Sequence, residues 1–394
     1  MTSAITGEAR TFAELRDLVV QWRRHLHQHP ELSFNEEETA QFVHDTLDGF
    51  GGLAITRPTA TSVMARLVTG RPGPVLAIRA DMDALAITEE TGLPFASANH
   101  GVMHACGHDG HTAMLLGAVK QLLTMRESLS GEIRFFFQHA EEIYPGGAEE
   151  MVQRGVMDGV QRVIGAHLWA SLEVGKVGVT EGAAMAAPDT FWITVRGKGG
   201  HAAIPQQTVD PIAIGAQVVT NLQQIVSRVM DPIDSVVLSI TQFHAGTTHN
   251  VIPEVVEMNG TVRSFDPELR TRVPQLMERI IRGISEAHGA TYEFTYERGY
   301  RPVINDVAVT RDMAAVVEAV CGPGVLVTLP PTMGGEDFSA FLQRAPGSFY
   351  FIGAGNATSG IVHPHHHPRF DIDERALGTG VKIFVEAARR YCAR

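Results

Sequence analysis

Leu15, Leu18, Val19, Trp22 and Leu26 recur at helical spacing, which predicts an amphipathic first helix ending near His29-Pro30. A second helix is expected from Glu36 to about Leu47. The pattern then changes to short apolar runs bounded by Gly and Pro: SVMARLV (62–68), PVLAIRADMDAL (74–85), EIRFFFQHAEE (132–142) and RVIGAHLW (162–169). Their apolar character is continuous rather than alternating, which predicts strands buried on both faces. Helical patterns at 111–126 and 148–158 fall between them. Strands alternating with helices predict an α/β domain with a mostly parallel sheet between helices.

From about Asp189 to Tyr296 the pattern is different. TFWITVRG predicts a strand, and Asp210 to Met230 a long amphipathic helix. SVVLSITQF and EVVEMNGTVRSF alternate like half-buried strands, PELRTRVPQLMERIIRGISEAHG is helical, and ATYEFTYER closes as a strand. The order β-α-β-β-α-β is that of a ferredoxin-like domain. Beyond about residue 300 the α/β character returns. The expected organisation is therefore a large α/β domain in two parts, 1–187 and 299–394, with a small ferredoxin-like domain, 188–298, inserted between them.

The chain of 394 residues is long enough for about two to three domains. At 44% hydrophobic and 19% charged residues it has an ordinary globular composition, which excludes a disordered chain. Its 32 basic and 44 acidic side chains leave a net charge of -12, which argues against a nucleic-acid groove. Three cysteines cannot build a disulfide framework, and an odd count suits a reducing compartment. The opening MTSAITGEARTFAELRD has acids and no apolar core, unlike a signal peptide. No apolar stretch approaches the about 18 residues of a membrane span. The expectation is a cytoplasmic protein with neither a membrane nor a nucleic acid as partner.

The 18 histidines change the picture. They gather in HLHQHP (25–30), HGVMHACGHDGH (100–111), the single His167, and HPHHHP (363–368). In HACGHDGH, Cys106 and His108 lie two apart, which in extended chain puts both on one face. A thiolate and an imidazole together suit zinc or a similar ion, while a buried cysteine beside surface histidines is the plainer alternative. Glu141 and Glu142 follow the buried run RFFF, where unpaired carboxylates are costly unless they meet a cation. Adjacent residues in extended chain point opposite ways, so one can hold a metal while the other serves as a base. Asp81 and Asp83 follow another apolar run and are either ligands or partners that orient a histidine. His167, taken alone, reads as structural, and in the last cluster His363, His365, His366 and His367 compete for any one role. Cys321 and Cys392 have no ligand-type neighbours and read as structural. The HLHQHP histidines are expected to cap and pack the first helix.

HQHPELSFNEEET, RADMDAL, HACGHDGHTAML, AEE followed by GGA, GKGGHAAIP, NVIPE, GTVRSF, MGGEDF and an HxPxF pattern occur in that order. The chain thereby resembles the metal-dependent amidohydrolases that include bacterial N-acyl-amino-acid hydrolases, hippurate hydrolases and plant auxin-conjugate hydrolases, relatives of the aminoacylases and carboxypeptidase G. The resemblance runs from about His25 to Glu374. It implies a catalytic large domain with two divalent metal ions, zinc first, with manganese, nickel or cobalt as alternatives. The implied ligands are Cys106, His108, Glu142, His167 and, from the fit of HxPxF to residues 366–370, His366. Glu141 would be the general base and Asp83 a carboxylate close to the metal, whereas Asp81 stands where distant relatives have a metal-binding histidine and would not ligate. Ala86 replaces a proline common in relatives. His201 matches a histidine that reaches a partner subunit's active site, Asn250 and Arg263 match residues that hold a substrate carboxylate, and Gly334 would line the cleft. The implied reaction is hydrolysis of N-acetyl or N-benzoyl amino acids, with a dipeptidase or carboxypeptidase as the alternative. The implied assembly is a homodimer joined through the small domain, with a homotetramer as a further option.

Overall fold

The computed structural model describes residues 11–394. The reading that the N-terminus carries no signal peptide falls largely on residues 1–10 and lies outside the described part. The chain divides into two compact units. The larger takes the chain up to Ala184, then Ile304–Pro330 and Asp337–Arg394; the smaller takes Met185–Val303 and Pro331–Glu336. The short return at Pro331–Glu336 has no counterpart in the apolar pattern, because it is a Gly-containing stretch with no periodic hydrophobic face.

The larger unit is a mixed α/β structure on an eight-stranded sheet, in the order Ala54–Thr56, Val63–Val68, Glu132–Gln138, Val75–Asp81, Arg162–Glu173, Gly347–Gly355, Val177–Val179 and Leu326–Thr328. The central four of these run parallel. Antiparallel pairing is confined to the flanks, between the first three strands and where Val177–Val179 meets Gly347–Gly355. The continuous apolar runs predicted this: Phe135, Phe136 and Phe137 are all fully buried, so both faces of their strand are covered.

The helix His108–Thr124 is buried from His108 through Val119. A helix with hardly any polar face belongs in the interior, and this one lies against the helices Phe12–Gln28 and Arg375–Tyr391. Gly117 makes that approach possible, since a Cβ there would lie 2.6 Å from Val19 and 2.9 Å from Val381. The first helix buries Leu15, Leu18, Val19, Trp22 and Leu26 and opens with a Thr11–Glu14 capping box.

The smaller unit holds a four-stranded antiparallel sheet in the order Val236–Ala245, Val255–Ser264, Ala187–Arg196 and Thr291–Glu297. Its helices Pro211–Gln224 and Pro267–Ala287 start alike, with Asp210 and Asp266 accepting first-turn amides ahead of a proline. The helix expected through Met230 leaves α geometry after Gln224 and continues as a π turn, Ile225–Val229. Phe191, Ile193 and Val195 share a core with Val218, Leu222, Val273 and Met277 of the two helices. Among the described residues no helix is long and apolar enough to cross a membrane.

Candidate metal centre

The parallel strands of the large sheet deliver acidic groups past their carboxyl ends, where open α/β sheets bind ligands. Val75–Asp81 leads to Asp83, and Glu132–Gln138 leads to Glu141 and Glu142. His167 was expected at a strand end but lies inside Arg162–Glu173. The pairing of that strand with Val75–Asp81 stops at Arg79 opposite Gly165, two residues earlier, so only one neighbouring strand continues beside His167. Cys106 and His108 come from the turn into the buried helix, where Gly107 takes a φ of 92° that a side chain would resist.

These groups form two overlapping triads. Ligand atoms of Cys106, His108 and His167 lie within 4.8 Å of one another, as do those of Cys106, Glu142 and His366. The Cys106 Sγ is 3.4 Å from Nε2 of His167, and Nε2 of His366 is 3.3 Å from a Glu142 oxygen. Glu141 completes a third group with His108 and Glu142. Each imidazole is turned by its other nitrogen: His167 Nδ1 lies 2.8 Å from the Leu168 carbonyl, and His108 Nδ1 lies 2.9 Å from the Asp83 carbonyl. Both therefore donate through Nδ1 and leave Nε2 for the cluster.

Within the final histidine cluster the roles separate. His365 is 3.8 Å from Cys106 Sγ through Nδ1, but its Nε2 accepts the Ala170 amide at 3.1 Å. His363 and His367 stack on each other, ring centroids 4.3 Å apart. His366 is the one that faces Glu142, and it does so from a left-handed backbone at φ 64°.

Burial pushes the Cys106 thiol up, and the Glu142, Glu141 and Asp81 charges push it further. Burial opposes a charge on His108, but Asp81 and Asp83 outweigh it and raise its pKa to about 10. His167 is driven well down by burial and by its imidazole neighbours, and so stays neutral. Nε2 of His108 and Oε1 of Glu142 are buried without a hydrogen-bond partner. Buried polar atoms are ordinarily paired, so two such atoms among sulfur, nitrogen and oxygen donors fit divalent cations. A coordinated cation also reverses the thiol's preference and deprotonates it.

The Asp81 oxygens are already engaged, one with His111 Nδ1 at 2.6 Å and one with Arg79 at 2.6 Å. Arg79 also reaches Asp337 of the MGGEDF segment at 2.9 Å. Asp83 accepts from Ser33 at 2.6 Å and from the Glu142 amide at 3.0 Å. His111, Ser33, Arg79 and Asp337 had no role assigned from sequence. His111 and Ser33 do lie within the ordered motifs, but nothing in their spacing shows which carboxylate they meet. The HLHQHP histidines pack as expected: His25 stacks on Phe42, and His27 is buried against Asp109. Cys392 is buried and Cys321 half-buried, and both are free thiols.

In the smaller unit, His201 and Asn250 are neighbours. His201 pairs with Val251, and the Ala202 amide donates to the Asn250 carbonyl at 3.2 Å. Arg263 sits opposite Pro188 in the sheet, and Gly334 accepts the Ala186 amide at 3.0 Å. These four residues thus fall at two places, His201 and Asn250 by the paired short strands Gly200–His201 and Val251–Ile252, Arg263 and Gly334 each against the segment Ala186–Pro188.

The peptidase family M20/M25/M40 matches residues 77–390 of this chain. An N-acyl-L-amino acid amidohydrolase of Geobacillus stearothermophilus is 66% identical over 296 residues, which is 75% of this chain and 80% of that one. An N-acetylcysteine deacetylase of Bacillus subtilis is 42% identical over 371 residues, 94% of this chain and 96% of that one. The crystal structure of the Bacillus subtilis YXEP protein, described as a dinuclear metal-binding peptidase of the M20 family, superposes with a TM-score of 0.83 at 38% identity. The alignment covers 96% of this chain and 99% of that one.

Proposed function

Since the chain belongs to the peptidase family M20/M25/M40, we propose a specific division of labour for the amide hydrolysis it performs. The protein is a hydrolase that cleaves N-acyl amino acids to a carboxylic acid and a free amino acid, and its donor set suits two divalent ions. In our reading Cys106 is shared between the two triads, with His108 and His167 on one side and Glu142 and His366 on the other. The observation that carries this is that two buried atoms without a hydrogen bond, His108 Nε2 and Glu142 Oε1, face each other at 3.8 Å in one cluster, with His366 Nε2 3.3 Å from the same oxygen. Bound there, the ions would polarise the scissile carbonyl and make water more acidic.

Asp83 orients His108 through Nδ1 and, by accepting the Glu142 amide, also holds the chain that carries Glu141. Glu141 takes a proton from the attacking water as its oxygen bonds to the carbonyl carbon. It returns that proton to the nitrogen as the C–N bond breaks, because an amide nitrogen does not leave as an anion. His201, Asn250, Arg263 and Gly334 are assigned to substrate binding. A guanidinium at Arg263 suits the amino acid's carboxylate by its two-pronged geometry. Zinc is the first candidate metal, since thiolate and imidazole donors suit it, with manganese, nickel or cobalt behind it. We place the enzyme in the cytoplasm as a homodimer, on the strength of its three free cysteines and the family resemblance.

The test is amine release from N-acetyl and N-benzoyl amino acids, with dipeptides alongside, on chelator-stripped protein given back one metal at a time. Metal-dependent release from acyl amino acids is expected. Release from dipeptides alone would move the protein to a peptidase, and metal uptake without any release would remove the catalytic reading. Light scattering of the purified protein checks the dimer.

A further inference from the structure

Among the described residues three non-glycine residues have positive φ: Phe34 at 66°, Ala140 at 49° and His366 at 64°. Such conformations are strained and persist only where the surroundings hold them. His366 is in the metal cluster. The other two flank it, because Ala140 directly precedes Glu141 and Phe34 directly follows Ser33, the donor to Asp83.

One atom holds both. Oε1 of Glu36 accepts the Phe34 amide at 3.1 Å and the Ala140 amide at 2.7 Å. Glu36 is fully buried just ahead of the helix Glu37–Phe50. A closed hydrogen-bonded circuit results. It runs from Glu36 to the Ala140 amide, along the backbone through Glu141 to the Glu142 amide, and on to Asp83. From there it passes to the Ser33 hydroxyl and returns along the backbone through Phe34 to Glu36. Glu141 is the residue the circuit encloses, and Asp83 at its far side clamps His108.

We propose that Glu36 is a positioning residue for Glu141: its Oε1 pins two left-handed backbone amides and so sets where the proton-carrying carboxylate stands. The inference rests on the reading of Glu141 as the proton carrier. What matters in it is reach and acceptor geometry, not the charge of Glu36. Glutamine keeps an oxygen at the same distance and can accept both amides. Aspartate keeps the charge but is one methylene too short to span them.

The experiment compares Glu36→Ala, Glu36→Asp and Glu36→Gln with the parent holoenzyme in kcat, KM, metal content and amide hydrogen exchange of residues 140–142. A misplacement of about 1 Å at a reacting group costs on the order of 100-fold. We therefore expect the Ala and Asp variants to lose about 10- to 100-fold in kcat, with KM within about threefold. Both should keep their metal and exchange faster at 140–142, while the Gln variant stays within about threefold of the parent. Folded Ala and Asp variants with parental kcat would overturn the proposal. So would a Gln variant as slow as Ala, or a loss that follows metal release. Failure of Ala and Asp to fold would overturn it as well, by making Glu36 a determinant of the fold alone. Glu141→Gln run in parallel separates the two readings. Full turnover in that variant removes the proton-carrier assignment, whereas an inactive Glu141→Gln beside an unaffected Glu36→Ala removes only the role of Glu36.

Discussion

The Asp83 carboxylate lies 3.2 Å from Nδ1 of His108, whose other ring nitrogen is buried without a hydrogen-bond partner. The relationship fixes which nitrogen is free: with Nδ1 held as the donor to Asp83, Nε2 is the one that would give up its proton to a bound cation. Asp83 stays ionised to do this, since donors from His108, Ser33 and the Glu142 amide outweigh the burial that would otherwise raise its pKa.

Replacing Asp83 by Asn should therefore act on the metal before it acts on the fold. Removing a carboxylate that orients a ligating imidazole typically costs about 10- to 100-fold in metal affinity. Competition with a chromophoric chelator measures it, and unchanged affinity would remove Asp83 from the site.

Glu141→Gln should separate binding from chemistry. The variant keeps both ions, because Glu142 and not Glu141 stands beside His366. Loss of a general acid–base group costs about 100- to 10,000-fold in kcat. Metal analysis and turnover on one preparation give the answer, and a variant that loses metal would make Glu141 a ligand.

Arg23 controls stability from a distance. Its buried guanidinium bonds Asp109 at 2.8 Å, Asp371 at 2.9 Å and Glu374 at 3.3 Å. Asp109 follows His108 in the helix, so the first helix, the segment that carries Cys106 and His108, and the C-terminal segment meet at one side chain. Arg23→Ala leaves Asp109 buried with His27 as its remaining close partner, and breaking such a pair costs about 3–5 kcal/mol. Urea unfolding tests this, and a loss below about 1 kcal/mol would show that His27 compensates.

The pH dependence of stability should carry a Glu36 signature in the metal-free protein. Burial first, and the Asp83 charge second, push its carboxyl up from 4.5 to about 7. A raised carboxyl contributes stability that is fully present below its unfolded value and lost as pH rises through the folded one. Glu36→Gln removes that titration, so its melting temperature should gain on the parent's between about pH 5 and pH 8. A constant offset across that window would mean that Glu36 does not titrate there.

Much of the fold was legible because burial on both faces of a sheet leaves a continuous apolar run, as in RFFF, and a helix leaves a periodic one. The chemistry was legible as residue types after those runs. His167 shows the limit: the apolar run ends near it, but the strand continues to Glu173 because Gly347–Gly355 goes on pairing there. That pairing joins distant segments and leaves no local pattern. Ser33 and Glu36 were visible within PELSFNEEE, yet their partners Asp83 and Ala140 lie 50 and 104 residues away.

The sequence by itself determined the order of strands and helices, the inserted βαββαβ unit, the carboxylates at the carboxyl ends of buried strands, and the supply of thiol and imidazole groups near them. These follow from hydrophobic periodicity and from the cost of burying charge, both of which act over a few neighbouring residues. Only the tertiary structure decided which of four adjacent histidines faces Glu142, which ring nitrogen each imidazole presents, and which amides Glu36 holds. The four histidines are chemically identical, and local spacing does not rank them. Their roles separate because the fold brings Cys106 to a loop 259 residues away at His365. There the Ala170 amide occupies one ring, two rings stack on each other, and a left-handed backbone turns His366 to the carboxylate.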